Sequence, residues 1–450
     1  MKILHLSALP VWPIAGKGGM PSLEQTLVGH VRDGHDVVLV LPAWNLFADH
    51  PERVSVQPVG NSAVTPAGCW WVPGMVWLRR AAKRVFGKAE LPFAIRWLLN
   101  ATTCALLTCS LVATAMKIRR RDRSRAGFDL VYAHNQYAAL AGRIMGRILR
   151  VPNVTRLYGT FLADLMKKPL VWLRYPVAAA GYLVPHDLLI CGNDGTRGDE
   201  VARKLKIDLK RFRFWQNGVD LPAEAPNIGR DELVRRFASA NLRAKASWIL
   251  SCSRLSYWKR IDRMLRALRV AVDHGCDCQL VVAGDGPERD RLADLAAELK
   301  LEKQVAWLGA VRHDDIWALM NAADAFMITN DVTNRCNPLY EAMCAGVPVI
   351  TVRDPSSADL VEDEVNALLV DKDDTAELGR CIERALTDSE LAARLRRGQL
   401  DKAAALWSWR QRMETEVTEL KTLVYGTQPQ TPPAAQRNPQ TPKRETARVS

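Results

Sequence analysis

The sequence predicts an α/β protein built from two doubly wound parallel sheets. Apolar, strand-like runs alternate with helical stretches in two consecutive series, one before residue 218 and one after Trp248. Such alternation is typical of parallel sheets covered by helices on both faces. The 450 residues, 48% of them hydrophobic and 25% charged, suffice for two or three packed domains.

The first series begins with KILHLSAL, the glycine-rich turn GKGGMPS, the helical stretch LEQTLVGHVRDGH and the strand DVVLVLP. Gly34 stands where a helix C-cap is expected. The opening MKILHLSAL is too short, and too soon followed by Pro and Trp, for a signal peptide, so it indicates a first strand. Further strands are predicted at 129–135, 153–159, 187–193 and 211–218.

The second series contains the strands WILSCSRL, QLVVAGDG, QVAWLGA, DAFMIT, VPVIT and ALLV. Two series in tandem predict two Rossmann-like domains facing each other across a cleft. We assign residues 1–218 to the first domain, with a basic insertion near 70–125, and 219–405 to the second. The boundary is expected near Asn217–Pro222, and the Pro/Gln/Thr-rich residues 426–450 are expected to be disordered.

The net charge of +13 is concentrated in one segment. Residues 79–125 contain twelve Lys or Arg and two acids, which accounts for +10 of the total. An anionic partner is therefore expected. Nucleic acid is the weaker alternative, because no helix-turn-helix, zinc-finger or RNA-binding signature accompanies the basic run.

Residues 76–88, VWLRRAAKRVFGK, separate on a helical wheel into an apolar half with Trp77 and Phe86 and a basic half. That pattern suits an anionic membrane surface, the alternative being a solvated domain helix. Residues 97–116 contain no charged residue and precede KIRRRDRSR, as a spanning helix would. Because they include Asn, Ser and several Thr, a buried or interfacial helix is preferred to a span.

The ten cysteines have no zinc-site spacing, and a reducing cytosolic compartment fits them best. Asp371, Asp373 and Asp374 have the spacing of metal-binding aspartates, but they follow a strand and precede a helix, so a helix N-cap is preferred. No metal site and no cofactor are expected.

Two loops carry candidate ligand-binding side chains. Arg254 and Lys259 lie between a strand and a helix, where open α/β sheets bind ligands, and two cations there suit a phosphate or diphosphate. In the second loop, Asn337 is predicted as the N-cap and Pro338 as the first residue of a helix that carries Glu341. Glu341 is suited to accept from two vicinal hydroxyls, or it is an ordinary first-turn glutamate.

Five motifs follow one another along the chain: QNGVD (216–220), SRLSYWKR, AGDGPERDRL (283–292), WLGAV (307–311) and EAMCAGVPVI (341–350). By these motifs the chain resembles the family 4 glycosyltransferases, which are retaining enzymes of the GT-B fold. WSWRQRMETEV (407–417) is similar to the family's last helix, so residues 406–425 are expected to cross back onto the first domain.

The resemblance implies roles for individual residues. Arg254 and Lys259 would bind the donor diphosphate, Glu341 the ribose, and the backbone around Val311 and Arg312 the nucleobase. Gly18 and Gly19 would let the backbone approach the donor phosphates. The remaining donor-side candidates are Thr333, Asn334, Asn337, Pro338 and Leu339.

Two departures from the family pattern bear on the site. Thr333 stands where the family has a first glutamate, so Thr333, Asn334 and Asn337 are expected to bind sugar hydroxyls instead. Tyr158 stands where the family often has a histidine, and it is expected to donate a hydrogen bond on the acceptor side. His134 is the nearer histidine and the second acceptor-side candidate.

The resulting hypothesis is a metal-independent hexosyltransferase that moves a sugar from a nucleotide diphosphate sugar to an acceptor hydroxyl. The acceptor is expected to be a lipid-linked or cell-envelope glycan at the cytoplasmic face of the membrane, with the protein peripherally bound. Two alternatives stay open: a GT-B sugar-nucleotide epimerase and a non-catalytic nucleotide-sugar-binding protein.

Overall fold

A computed structural model describes residues 1–9, 21–42, 63–86, 92–121, 127–166, 171–219 and 228–426. They form two compact units. Unit 1 comprises the described residues from Met1 to Asn217 together with the helix Trp409–Tyr425, and unit 2 comprises those from Gly218 to Ser408. The predicted tail and part of the predicted boundary lie outside the described residues.

The sheet of unit 1 has seven parallel strands in the order β3-β2-β1-β4-β5-β6-β7. Their bounds are β1 Lys2–Ser7, β2 Asp36–Pro42, β3 Ala63–Ala67, β4 Leu130–His134, β5 Asn153–Leu157, β6 Leu188–Gly192 and β7 Phe212–Trp215. The strand order reverses between β1 and β4. Strand β3 was not predicted, because AVTPA is short, contains proline and shows no apolar alternation.

Nine helices of unit 1 cover this sheet in the described part of the chain. They are α1 Pro21–Arg32, α2 Val72–Phe86, α3 Phe93–Arg121, α4 Ala139–Leu149, α5 Leu162–Leu165, α6 Val171–Arg174, α7 Pro176–Leu183, α8 Gly198–Lys204 and α16 Trp409–Tyr425. Helix α1 ends before Gly34, which has the expected positive φ of 77°.

The sheet of unit 2 has six parallel strands in the order β10-β9-β8-β11-β12-β13. They are β8 Ser247–Cys252, β9 Cys278–Ala283, β10 Val305–Gly309, β11 Ala325–Ile328, β12 Val349–Val352 and β13 Ala367–Val370. The helices are α9 Arg230–Arg236, α10 Ile261–Asp273, α11 Arg289–Glu298, α12 His313–Ala322, α13 Asn337–Ala345, α14 Thr375–Thr387 and α15 Ser389–Ala403. Two apolar clusters, one on each face of the sheet, form the core.

The basic amphipathic segment of unit 1 is an antiparallel helix pair. The Arg79 guanidinium of α2 donates to Asn100 Oδ1 of α3 at 2.8 Å, and Trp71 Nε1 donates to Ser110 Oγ at 3.0 Å. The basic run that starts at Lys117 therefore lies about 25 Å along α3 from Asn100. The charge that the sequence concentrates in one segment is thus divided in space, because the antiparallel pairing places its two basic clusters at opposite ends of α3.

Helix α3 is long and apolar enough to cross a membrane, by length and composition alone, and 28% of its most apolar window is buried. Its second half contributes Leu107, Leu111 and Ala115 to the core beside the sheet. That half packs as a domain helix does.

Candidate functional site

The donor-side candidates meet at one point of the unit 2 sheet. Strand β8 lies between β9 and β11, so the strand order reverses between β8 and β11. Open α/β sheets bind ligands at the carboxyl ends of the strands at such a point. The loop after β8 carries Arg254 and Lys259, and the loop after β11, residues 329–336 and hereafter the β11 loop, leads into the helix that carries Glu341.

Arg254 and Lys259 have no carboxylate partner among the described residues. Arg254 is exposed, and Lys259 Nζ lies 4.2 Å from the centroid of the Trp258 ring. By contrast, the neighbouring Arg260 is paired with Asp262 and with Asp331, at 3.1 Å in each case. Arg254 and Lys259, which the sequence predicted as phosphate ligands, are therefore both available to bind an anion, whereas Arg260 is already paired.

Glu341 is a buried carboxylate with no hydrogen-bond donor among the described side chains. It is 8% exposed, in the first turns of α13. Burial alone raises its pKa to about 7. An isolated carboxylate in this position is stabilised by any ligand that donates hydrogen bonds to it.

The charges of Lys259 and Glu341 both influence the pKa of the same two neighbouring thiols, those of Cys252 and Cys336. Burial is the main cause of the raised pKa of the Cys252 thiol; Glu341 raises it further and Lys259 lowers it. The same two charges act in the same directions on Cys336, whose pKa is also raised, chiefly by burial. The structure thus brings a cation from the β8 loop and a carboxylate from α13 to one place.

The main chain of the glycine-rich loop after β9 packs closely against the main chain of the β8 loop. A Cβ on Gly284 would lie 1.8 Å from the Ser253 carbonyl oxygen, and one on Gly286 would lie 2.3 Å from that of Leu255. Gly284 N also donates to Gly309 O at 2.8 Å, which joins the loop after β10 to the same group. Val311 is half-buried against the core and Arg312 is exposed, both beyond Gly309.

The β11 loop is a compact hydrogen-bonded structure. Asn334 is fully buried; its Oδ1 accepts from Asn330 N at 2.9 Å, and its Nδ2 donates to Asp354 Oδ2 at 3.3 Å. The hydroxyl of Thr333 lies 2.9 Å from that of Ser356. The side chain of Asn334 is thus used within the protein, whereas the sequence suggested a sugar ligand.

Helix α13 begins one residue earlier than expected. Its N-cap is Cys336, with no side-chain cap bond, so Asn337 is the first helical residue and Pro338 the second. The prediction of Asn337 as N-cap is wrong, because Cys336 is the residue with extended backbone angles (φ −139°, ψ 163°). Leu339 is fully buried in the core, which leaves only its main chain for a ligand.

On unit 1, both acceptor-side candidates belong to a buried polar chain at the carboxyl ends of β4 and β5. His134 Nδ1 lies 2.8 Å from the Tyr158 hydroxyl, and His134 Nε2 lies 2.8 Å from His5 Nδ1. His5 Nε2 continues to His30 Nδ1 at 3.2 Å, and His30 Nε2 faces Glu416 Oε1 at 3.4 Å, outside good hydrogen-bond geometry. Burial lowers the pKa of His5 and His134 well below the ordinary value.

The Tyr158 hydroxyl is engaged within this polar chain. Its oxygen lies 2.8 Å from His134 Nδ1, and the imidazole tautomer decides which of the two donates. The sequence suggested that Tyr158 donates to a ligand, whereas the structure pairs its hydroxyl with His134.

Two residues that organise the site were missed from the sequence. Asp331 accepts from Arg260 and Arg263, each at 3.1 Å, and its main-chain N donates to Trp258 O at 3.0 Å. Asp354 accepts from the main-chain N of Asn334 at 2.7 Å. Each is an ordinary aspartate after a strand, so no local signal distinguishes it.

Gly18 and Gly19 lie outside the described residues. Asp374 is the N-cap of α14 and accepts from Glu377 N at 2.8 Å, as the N-cap interpretation of that aspartate run requires. Across the described ranges, no group of three or more His, Cys, Asp or Glu side chains is arranged to hold a metal ion.

Comparison with known proteins assigns the second unit. Residues 235–399 match the family described as Glycosyl transferases group 1. They form a group 1 glycosyltransferase domain. This domain contains Arg254, Lys259, the β11 loop and Glu341.

Relatives of the group 1 domain include proteins named for lipid-linked products. Alpha-monoglucosyldiacylglycerol synthase of Streptococcus pneumoniae is 26% identical over 53% of this chain and 54% of its own length. The Campylobacter jejuni N-acetylgalactosamine-N,N'-diacetylbacillosaminyl-diphospho-undecaprenol 4-alpha-N-acetylgalactosaminyltransferase is 27% identical over 57% of this chain and 65% of its own. The chain matches from 54% to 67% of the length of the first three curated relatives.

The fold likeness extends beyond the group 1 domain. The crystal structure of Anabaena Alr3699/HepE in complex with UDP is 21% identical, with a TM-score of 0.64 over 94% of this chain and 100% of that one. The predicted fold class, two parallel-sheet α/β domains of the GT-B type, is confirmed.

Proposed function

We propose that the protein is a retaining family 4 glycosyltransferase that uses a nucleotide diphosphate sugar. The observation that carries the proposal is the meeting of Lys259, Arg254 and Glu341 at the reversal point of the unit 2 sheet. Two cations that have no carboxylate partner in the described part of the chain suit a diphosphate, and a buried carboxylate with no side-chain donor there suits a ribose diol. Bound UDP in Alr3699/HepE, a protein of the same fold, supports a nucleotide in this class of site.

In the proposed reaction, the bond between the anomeric carbon and the diphosphate breaks while the acceptor oxygen attacks the same face. Arg254 and Lys259 stabilise the negative charge that develops on the departing diphosphate. The diphosphate takes the proton of the acceptor hydroxyl, so the products are a glycoside and a protonated nucleoside diphosphate. Glu341 holds the ribose throughout and takes no part in bond breaking.

We propose a lipid-linked or cell-envelope glycan as acceptor and an anionic membrane as the working surface. The support is the outer face of α2, where Trp77 is 66%, Leu78 44% and Val85 76% exposed. Exposed Arg80, Lys83 and Arg84 flank these apolar side chains. Interfacial tryptophan beside basic residues favours the headgroup region of anionic lipid. The proposed location is the cytoplasmic face of the cell membrane, with peripheral attachment.

A radiolabelled donor assay tests the reaction. Purified protein is incubated with membrane extract and each of several labelled nucleotide sugars, and label transferred to the lipid phase is counted. Transfer with retained anomeric configuration, read from the proton coupling constant of the product, is expected. Interconversion of the donor sugar without transfer would support an epimerase, and binding without turnover would support a binding protein.

A further inference from the structure

The β11 loop is held from the side of β12 by one carboxylate. Ile328 pairs with Thr351 in the parallel register, so the loops after β11 and β12 leave the sheet side by side. Asp354, two residues beyond β12, accepts from Asn334 at its main-chain N (2.7 Å) and at its Nδ2 (3.3 Å). Asp354 also accepts from Ser356, from the main-chain N at 3.0 Å and from the hydroxyl in a short bond.

The same carboxylate sets the direction of the Thr333 hydroxyl. Thr333 Oγ1 lies 2.9 Å from Ser356 Oγ, and either oxygen has the geometry to donate. Since the Ser356 proton is given to Asp354, Thr333 donates to Ser356. Thr333 Oγ1 also accepts from Arg335 N at 3.1 Å, which bends the chain around the hydroxyl.

Asn334 transmits the constraint to the rest of the loop. Its Oδ1 accepts from Asn330 N at 2.9 Å, and Asn330 Nδ2 donates to Thr333 O at 2.8 Å. Asn330 and Asn334 are 1% and 0% exposed, so these bonds form in a water-poor interior where each is costly to leave unmade. One carboxylate therefore fixes the main chain of the loop and the orientation of its hydroxyl.

The position of the β11 loop suggests what its hydrogen bonds to Asp354 are for. It stands at the reversal point of the sheet, between the β8 loop with Lys259 and the helix with Glu341. We propose that Asp354 is the positioning residue of a sugar subsite formed by the β11 loop, and that it selects the donor sugar by fixing Thr333 and the main chain around it. The inference rests on the proposed function, because the subsite adjoins the proposed diphosphate and ribose contacts. Hydroxyl-rich ligands depend on such preorganised polar groups for specificity.

Calorimetric titration of the full chain separates the sugar contacts from the nucleotide contacts. The probes are UDP, UDP-glucose, UDP-galactose, UDP-N-acetylglucosamine, GDP and GDP-mannose. For the tightest nucleotide sugar, Asp354→Asn is expected to weaken binding about tenfold and to leave the affinity for the matching nucleoside diphosphate within about twofold. The donor KM is expected to rise in the same proportion.

Matched variants exclude a general effect of charge or stability. Asp371→Asn makes the same change at the same edge of the sheet, where Asp371 faces Arg353 at 3.6 Å, and it is expected to alter neither affinity. Thr333→Val is expected to reproduce the loss and Thr333→Ser to restore binding, because only serine keeps the hydroxyl. In the Asp354→Asn background, Thr333→Val is expected to add little further loss of affinity, since both changes break the same series of hydrogen bonds from Asp354 through Ser356 to Thr333.

The outcomes separate the inference from the function on which it rests. Equal weakening of nucleotide and nucleotide sugar by Asp354→Asn, or full additivity with Thr333→Val, overturns the role of Asp354. A wild-type protein that binds none of the six probes overturns the proposed function and the subsite with it. If Asp354→Asn unfolds, as judged by circular dichroism, the Thr333→Val and Thr333→Ser pair decides.

Discussion

Tyr132 donates a hydrogen bond to Glu416 at 2.7 Å, across 284 residues of sequence. Both side chains are fully buried, Tyr132 on β4 and Glu416 on α16. Glu416 also faces the guanidinium of Arg412 at 2.8 Å and that of Arg156 at 3.4 Å. Helix α16 is therefore fixed in unit 1 by a buried charged network, and the two arginines depend on one carboxylate.

Removing that carboxylate is expected to be severely destabilising. Glu416→Gln leaves Arg156 and Arg412 buried without a counter-charge, which costs about 3–5 kcal/mol in such pairs. Denaturant unfolding followed by circular dichroism measures the change. Glu414→Gln, which alters a 60% exposed partner of Arg410 on the same helix, is the control and should change little. Similar losses in the two variants would contradict a special role for Glu416.

Unit 1 is expected to be sensitive to acid. Burial is the largest cause of a lowered pKa at four of its histidines: to about 4 for His35 and His186, and well below the ordinary value for His5 and His134. Because these folded pKa values lie below the unfolded value of about 6.5, the unfolded chain binds more protons as pH falls. Each histidine then costs about 1.4 kcal/mol of stability per pH unit below 6.5 until its folded pKa is reached.

Glu416 acts in the same direction at lower pH. Its neighbours Arg412 and Arg156 hold its pKa well below the ordinary value against the cost of burial, so its contribution is present above about pH 4.5 and is lost below it. Hydrogen exchange with mass-spectrometric readout at pH 7.5 and 5.5, corrected for intrinsic exchange rates, should show protection lost in unit 1 before unit 2. Equal loss in both units would refute the argument.

Donor binding is expected to depend on the ionisation of Glu341. With a pKa raised by burial to about 7, the carboxylate is largely protonated at pH 6 and largely ionised at pH 8. The ionised form accepts from both ribose hydroxyls, so affinity should be about tenfold weaker at pH 6 than at pH 8. Burial raises the pKa of the neighbouring thiols of Cys252, Cys336 and Cys344, so these thiols stay protonated over this range.

Titration with a nucleotide sugar measures this effect cleanly, since its diphosphate does not change charge between pH 6 and 8, whereas a terminal phosphate does. Glu341→Gln should bind more weakly at pH 8 and lose the pH dependence. A dependence that persists in Glu341→Gln would assign it to another group.

Arg254→Ala and Lys259→Ala are each expected to remove most of the activity. Each change deletes a charge-assisted contact to the diphosphate worth about 1.5–3 kcal/mol, or about ten- to a hundredfold in donor affinity. Arg266→Ala, on the exposed side of α10, is the control of equal charge. Steady-state kinetics with the best donor measures the loss, and activity that survives the double variant would place the diphosphate elsewhere.

The sequence predicted the strands of both sheets apart from β3, and it placed Arg254, Lys259 and Glu341 on the loop and the helix where the structure has them, because these features depend on local patterns. Arg254 and Lys259 follow one apolar run, and Glu341 lies in the first turns of a proline-started helix. Asp354 could not be predicted, since its contact with Asn334 exists only because β11 and β12 are neighbours in register. The buried series of polar side chains from Tyr158 to Glu416 likewise joins β1, α1, β4, β5 and α16, and no spacing in the sequence links these elements.

The outer face of α2 is expected to bind anionic vesicles. The sequence placed Arg79 in the basic half of the wheel, but Arg79 is engaged with Asn100 of α3, so the residues available to lipid are Arg80, Lys83 and Arg84. Each contributes about 1 kcal/mol near an anionic surface, and the attraction falls off within a Debye length. Changing these three to Gln should therefore release the protein from phosphatidylserine-containing vesicles, most completely at physiological salt.

Two further variants separate charge from apolar insertion. Trp77→Ser with Val85→Ser should leave weak, salt-sensitive binding, because it removes the apolar anchors and keeps the cations. Changing Lys117, Arg119 and Arg120 to Gln removes the same charge from the far end of α3. This variant should matter less, since those residues lie about 25–30 Å along α3 from the α2 contact at Asn100. Cosedimentation with vesicles at low and high salt measures all three, with nucleotide affinity as the check that unit 2 is intact. If the Arg80, Lys83 and Arg84 variant stays in cell membranes after carbonate extraction, α3 is favoured as a spanning helix instead. If the wild type sediments with no vesicle, the membrane proposal is refuted.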